Sequence, residues 1–163
     1  MVMKLPASLE WALHCTTAIA QVPDGAVSTA QLAEHFDLPT AYLAKQLALL
    51  VRAEVLSGTT GPRGGFRLAR PPADITVLKI VEAIDGRGNP YQCREIRQQG
   101  RGALPADQCR ERCALAATMD EAHEAWRTSL AAVTIESLLE TLPETIPGRT
   151  RRLLARDHAT GTP

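Results

Sequence analysis

The amino-acid sequence predicts a mostly α-helical protein with a small β wing: a winged helix-turn-helix domain followed by a long C-terminal dimerisation helix. Three observations carry this expectation. Two short helical segments meet at the break Asp37-Leu38-Pro39, the spacing of a helix-turn-helix. A glycine-rich, basic hairpin follows them directly. Apolar residues at alternating four- and three-residue steps (Leu115, Met119, Ala122, Trp126, Leu130, Val133, Leu138) then mark one stripe of a long helix, which needs a second surface to pack on. The expected organisation is a DNA-binding domain over residues 1–86, a cysteine-bearing loop over 87–112, a dimerisation helix over 113–142 and a disordered tail over 143–163.

Taken in order, Ala7 or Ser8 opens a helix with Leu9, Ala12, Leu13, Thr16 and Ala20 on its core face, ended by Pro23-Asp24-Gly25. Ser28 and Gln31 form a capping box that starts the next helix. Thr40 is expected to cap the second, recognition helix, which carries Tyr42, Leu43, Leu47, Leu50 and Val51. Glu54 to Gly58 and Phe66 to Arg70 read as the strands of a wing around Gly61-Pro62-Arg63-Gly64-Gly65. From Thr40 to Arg70 the bases Lys45, Arg52, Arg63, Arg67 and Arg70 face only Glu54, although the whole chain balances 18 basic against 18 acidic residues. A local positive charge suits a phosphate backbone, and the expected partner is double-stranded operator DNA. The candidate contacts are Ser28, Thr40, Tyr42, Lys45, Gln46, Arg63, Arg67 and Arg70. Ile75 to Ile84 reads as a helix closing the domain's core, and Gly, Pro, Gln and Arg then mark a loop up to Gln108.

Composition narrows the function further. With 4% aromatic residues the chain lacks the stacking platforms of a single-strand binder. No apolar run approaches the roughly 18 residues of a membrane span, and Met1 to Pro6 lacks the pattern of a signal peptide, so a cytoplasmic location is expected. Neither a nucleophile–base constellation nor a phosphate loop is visible, and no enzymatic activity is expected. Four cysteines in a reducing compartment point to metal or redox chemistry rather than a disulfide framework. Cys15, among Leu13, Thr16 and Ala18, reads as a packed thiol. Cys109 and Cys113, four apart at the head of a helix, are expected to face the same way and to share one metal centre. Glu10 and His14 share a helical face in the same manner, a pairing that on its own is ordinarily an exposed one.

The helix-turn-helix with Tyr42-Leu43-Ala44-Lys45, the wing Gly64-Gly65-Phe66-Arg67-Leu68-Ala69-Arg70, the helix from Ile75 to Gly86 and the cysteine loop before a long helix together resemble the Rrf-two (Rrf2) family of bacterial transcription regulators, from Leu5 to Leu142. The resemblance implies a homodimer that binds a partly palindromic operator and senses a signal through an iron–sulfur cluster. Many members space three cysteines evenly and closely; here Cys93 lies far from Cys109. Leu9-Glu10-Trp11-Ala12-Leu13-His14-Cys15 and Cys93 to Gln98 look most like the RsrR branch, which implies a 2Fe-2S cluster held by Glu10 and His14 of one subunit and Cys109 and Cys113 of the other, with Cys93 as substitute ligand and Trp11 as a redox-linked neighbour. Structural zinc on the same residues and a metal-free thiol switch are the alternatives.

Overall fold

The computed structural model describes residues 5–61 and 64–154. Helix α1 (Ala7–Ala20) runs through the centre of the core, with Leu9, Ala12, Cys15, Thr16 and Ile19 buried. Helices α2 (Thr29–Phe36) and α3 (Thr40–Arg52) form the helix-turn-helix, joined through Asp37 in a left-handed conformation that aspartate tolerates. The Ser28–Gln31 capping box is present: the Gln31 amide donates to Ser28 Oγ at 3.2 Å and the Ser28 amide to Gln31 Oε1 at 2.7 Å. Thr40 does not cap α3. Pro39 holds the N-cap position without a side-chain cap, and Thr40 is the first helical residue.

The wing pairs β1 (Leu56–Thr59) with β2 (Gly65–Leu68) antiparallel, Leu56 opposite Leu68 and Ser57 opposite Arg67. Val27, just before α2, bridges Phe66 through reciprocal bonds of 3.0 and 2.8 Å, so the wing is stitched to the helix-turn-helix. That close approach explains Gly65: a Cβ there would stand 2.7 Å from the Val27 carbonyl. Helix α4 (Val77–Asp85), capped by Thr76, packs on α1 and α3 and closes the core.

The C-terminal third departs from the expected single helix and tail. Helix α5 (Ala114–Ala131) ends before Val133 and Thr134, whose backbone turns extended and bridges back to the start of α4: the Val77 amide donates to Val133 O at 2.8 Å and the Ile135 amide to Ile75 O at 2.9 Å. β-branched residues favour this extended break. A second capping box, Thr134 with Ser137, then starts helix α6 (Ile135–Glu140). The apolar stripe is divided accordingly. Trp126, Leu130, Val133 and Leu138 pack on the chain's own core, whereas Leu115 and Met119 stay exposed. Residues expected to be disordered form helix α7 (Thr145–Leu154), which buries Thr150 and Leu154 and packs on α2; only 155–163 of that tail lie outside the described residues. Among the described residues no helix is long and apolar enough to cross a membrane.

Candidate functional site

Two faces carry the candidate chemistry: the exposed side of α3 with the wing, and the cysteine loop at the start of α5. On α3, Leu43, Gln46, Leu47 and Leu50 form the buried stripe, leaving Thr40, Tyr42, Lys45 and Arg52 outward. Gln46 is 8% exposed and so does not share the outward face, contrary to its expected place among DNA contacts. Its i+3 offset from Leu43 was the available signal. Ser28 spends its hydroxyl on the α2 cap. Arg67 projects from β2 into solvent, Arg70 forms an ion pair with Glu54, and Arg63 lies outside the described residues. Arg52, at the exposed end of α3, adds a cation to this face. Tyr42 meets Trp11 of α1 edge to face at 5.3 Å between centroids. Such a pair contributes about 0.5–1.5 kcal/mol beyond its buried area and links α1 to the recognition helix.

The cysteine loop is built around Arg97. Its guanidinium donates twice to the Glu95 carboxylate, at 2.5 and 2.9 Å, and once to the Glu111 carbonyl at 3.0 Å. This joins the middle of the loop to its end. The Arg97 hydrogen bonds hold the Glu95 carboxyl below the usual carboxylate range. Asn89 Nδ2 donates to Asp120 at 2.7 Å, and Arg112 pairs with the same carboxylate, tying the loop's base to α5.

Cys109 ends a short 3₁₀ turn, Ala106–Cys109, and Cys113 is the N-cap of α5. They do not share one helix, so the expected i to i+4 alignment does not apply. Both nevertheless line one cavity of about 390 Å³, together with Cys93 and Glu95. A neighbouring, more apolar cavity of about 670 Å³ is lined by Cys93 and Cys113 with Tyr91, Ile96 and Leu115. The Ala116 and Leu115 amides at the start of α5, and then the Arg97 charge, hold the Cys113 thiol below its ordinary pKa. Cys15 is the opposite case, fully buried in α1 with its thiol pushed up to about 12 by desolvation.

Glu10 and His14 are exposed on α1 and belong to neither cysteine cavity. His14 instead borders a separate cavity between α1, α2 and α7. Among the described residues, no three His, Cys, Asp or Glu side chains of one chain come together closely enough to hold a metal ion. The role of Arg97 and the folding of α7 were not anticipated: neither Arg97 nor Pro147-Gly148 carries a local pattern that announces its distant partner.

Residues 5–141 match the Rrf2 family model, described as an iron-dependent transcriptional regulator. The chain is 31% identical over 142 residues to BadM of Rhodopseudomonas palustris, whose name describes it as an HTH-type transcriptional regulator, covering 87% of this chain and 85% of that one. It is 37% identical to the HTH-type transcriptional regulator IscR of Cereibacter sphaeroides over 59 residues, 36% of this chain and 38% of that protein. Among solved structures, CymR, the global cysteine regulator of B. subtilis, superposes with a TM-score of 0.69 at 20% identity, covering 87% of this chain and 100% of that one. IscR of T. potens does so with a TM-score of 0.65 at 21% identity, covering 88% and 90%. The structural neighbours match the winged-helix fold, and the family match extends from α1 to α6. The chain belongs to the Rrf2 family of transcriptional regulators.

Proposed function

We propose that the chain acts as a homodimeric, operator-binding regulator that reads redox state through a 2Fe-2S cluster of the RsrR kind. The ligands are Glu10 and His14 of one subunit and Cys109 and Cys113 of the other, with Cys93 as substitute. The observation that supports this reading is that Cys93, Cys109 and Cys113 line one cavity. Thiolates, an imidazole and a carboxylate are a donor set that fits a mixed cluster once a second chain supplies α1. When bound, the cluster supplies a one-electron couple, whose potential an imidazole ligand raises by removing negative charge. His14 and Glu10 would hold the cluster from α1, and Glu10, a hard carboxylate, would be the ligand most readily displaced. Trp11 adjoins Glu10 and abuts Tyr42, so a shift of this part of α1 reaches the recognition helix directly.

The exposed Leu115 and Met119 on α5, 71% and 42% accessible, with Ile96 on the loop, supply the apolar surface for the second subunit. Outward Lys45, Arg52 and Arg67 meet the DNA backbone. A thiol switch is the second reading, favoured by the lowered Cys113 pKa and by likeness to the oxidized form of Staphylococcus aureus CymR, with a TM-score of 0.64 at 20% identity.

The test is the visible spectrum, with iron and acid-labile sulfide, of protein purified without oxygen, before and after dithionite. The expected protein is brown, holds about two irons per site and bleaches reversibly, and loses its colour as His14→Ala or Cys113→Ser. A colourless protein that retains DNA binding leaves the regulator and removes the cluster; bound zinc then marks a structural metal, and oxidant-sensitive binding without metal marks the thiol switch.

A further inference from the structure

We propose that the cavity between α1, α2 and α7 is an effector site for a small organic monocarboxylate with an apolar body and a hydrogen-bond donor. It encloses about 460 Å³, within the roughly 300–1,000 Å³ of small-molecule sites. Phe36, Leu142 and Ile146 supply hydrocarbon walls, and none of its lining residues is acidic. Arg149 lines it and forms no ion pair among the described residues. Its charge lies close enough to His35 to lower that imidazole's pKa, after the larger effect of burial. A single cation that is permanently charged, among neutral and apolar walls, selects one negative charge; a phosphate requires several converging donors.

Gln21 supplies the second, independent observation. It lines the same cavity and is 8% exposed, and its Nε2 donates to the Thr17 carbonyl at 3.0 Å. Its Oε1 is buried without a partner among the described residues. Buried acceptors are rarely left so, and a ligand hydroxyl or N–H satisfies this one. The site is also pre-formed. Gln31 Nε2 donates to the Leu154 carbonyl at 2.7 Å and Arg151 Nε to the Gln21 carbonyl at 3.2 Å, which fasten α7 to the start of α2 and the end of α1. Because α2 is the first helix of the helix-turn-helix, an occupant that bridges Arg149 to α1 and α2 pins α7 against the DNA-reading unit.

The site uses no cysteine; His14, proposed above as a cluster ligand, borders it, so binding is measured on both cluster-bearing and metal-free protein. The experiment is titration calorimetry of the full chain, purified without oxygen, with hexanoate, 2-hydroxyhexanoate and 3-phenylpropionate, and with hexan-1-ol and inorganic phosphate as contrasts. One carboxylate should bind per chain, 2-hydroxyhexanoate more tightly than hexanoate, and Arg149→Gln should weaken binding at least tenfold. Arg149 is exposed, so its loss spares the fold; Ile146→Trp, with melting checked, should abolish binding by filling the space. Lack of saturable binding by all three acids, equal binding of phosphate or hexan-1-ol, or indifference to Arg149→Gln overturns the proposal and leaves the cluster reading untouched.

Discussion

Cys15 and Cys113 are the same side chain in opposite environments. Cys15 lies in the core, where a thiolate has neither water nor a countercharge, and its pKa is pushed up to about 12. Cys113 faces helix amides and Arg97, and its pKa is lowered. In metal-free protein at neutral pH a disulfide reagent should therefore modify Cys113 first, then Cys93 and Cys109, and reach Cys15 only after denaturation; four thiols of equal reactivity would refute these environments. His35 adds a pH dependence of definite sign. Burial, then the Arg149 charge, lowers its pKa, so the folded state favours neutral imidazole. The unfolded chain binds the proton more readily, and stability is lost as pH falls below the ordinary value near 6.5 toward that of the folded state. His35→Gln should flatten the drop in melting temperature between about pH 7 and 5; parallel melting curves for variant and wild type would contradict it. Cys15 was readable as a packed thiol from its apolar neighbours. The low pKa of Cys113 rests first on the Ala116 and Leu115 amides where α5 begins, and only then on Arg97, which reaches it through a loop whose path no local periodicity encodes.

Elements with strong local signals fold as their residues direct. The Ser28–Gln31 box, the glycine-rich wing and the apolar face of α4 are all present, because each rests on interactions within a few residues. The break after α5 depends instead on a bridge between Thr76 and Thr134, 58 positions apart, and a continuous apolar stripe cannot reveal it. Likewise α7 is held by Gln31, whose side chain both closes the α2 cap and donates to Leu154. Ser28→Ala should cost about 1 kcal/mol of stability, or roughly 2–4 °C in melting temperature, and Ser28→Asp should recover most of it while lowering operator affinity only modestly. If Ser28→Ala leaves stability intact but abolishes DNA binding, its hydroxyl belongs to the DNA contact and not to the cap.

At the scale of the molecule, the winged-helix core is completed by the C-terminal third, through Ile135 and Leu154, while Cys93, Cys109 and Cys113 line a cavity on the loop. The residues proposed to read DNA and those proposed to hold the cluster lie on different elements, α3 and the wing against α1 and the loop, and the Trp11–Tyr42 contact links α1 to α3. The family and fold were legible because the wing and helix-turn-helix are contiguous in the chain. The proposed ligand set rests on resemblance alone, since its members lie on α1 and on a segment some 80 to 100 positions later. Sensing requires that cluster state change the relation between the two recognition helices by a differential binding energy. The most direct measurement is operator affinity, on the promoter DNA upstream of its own gene, of cluster-bearing protein before and after dithionite at fixed salt, alongside Glu10→Ala. The account predicts at least a tenfold difference between the oxidised and reduced wild type, abolished by Glu10→Ala. Equal affinity in both states, with the cluster shown to reduce reversibly in the same sample, would contradict it.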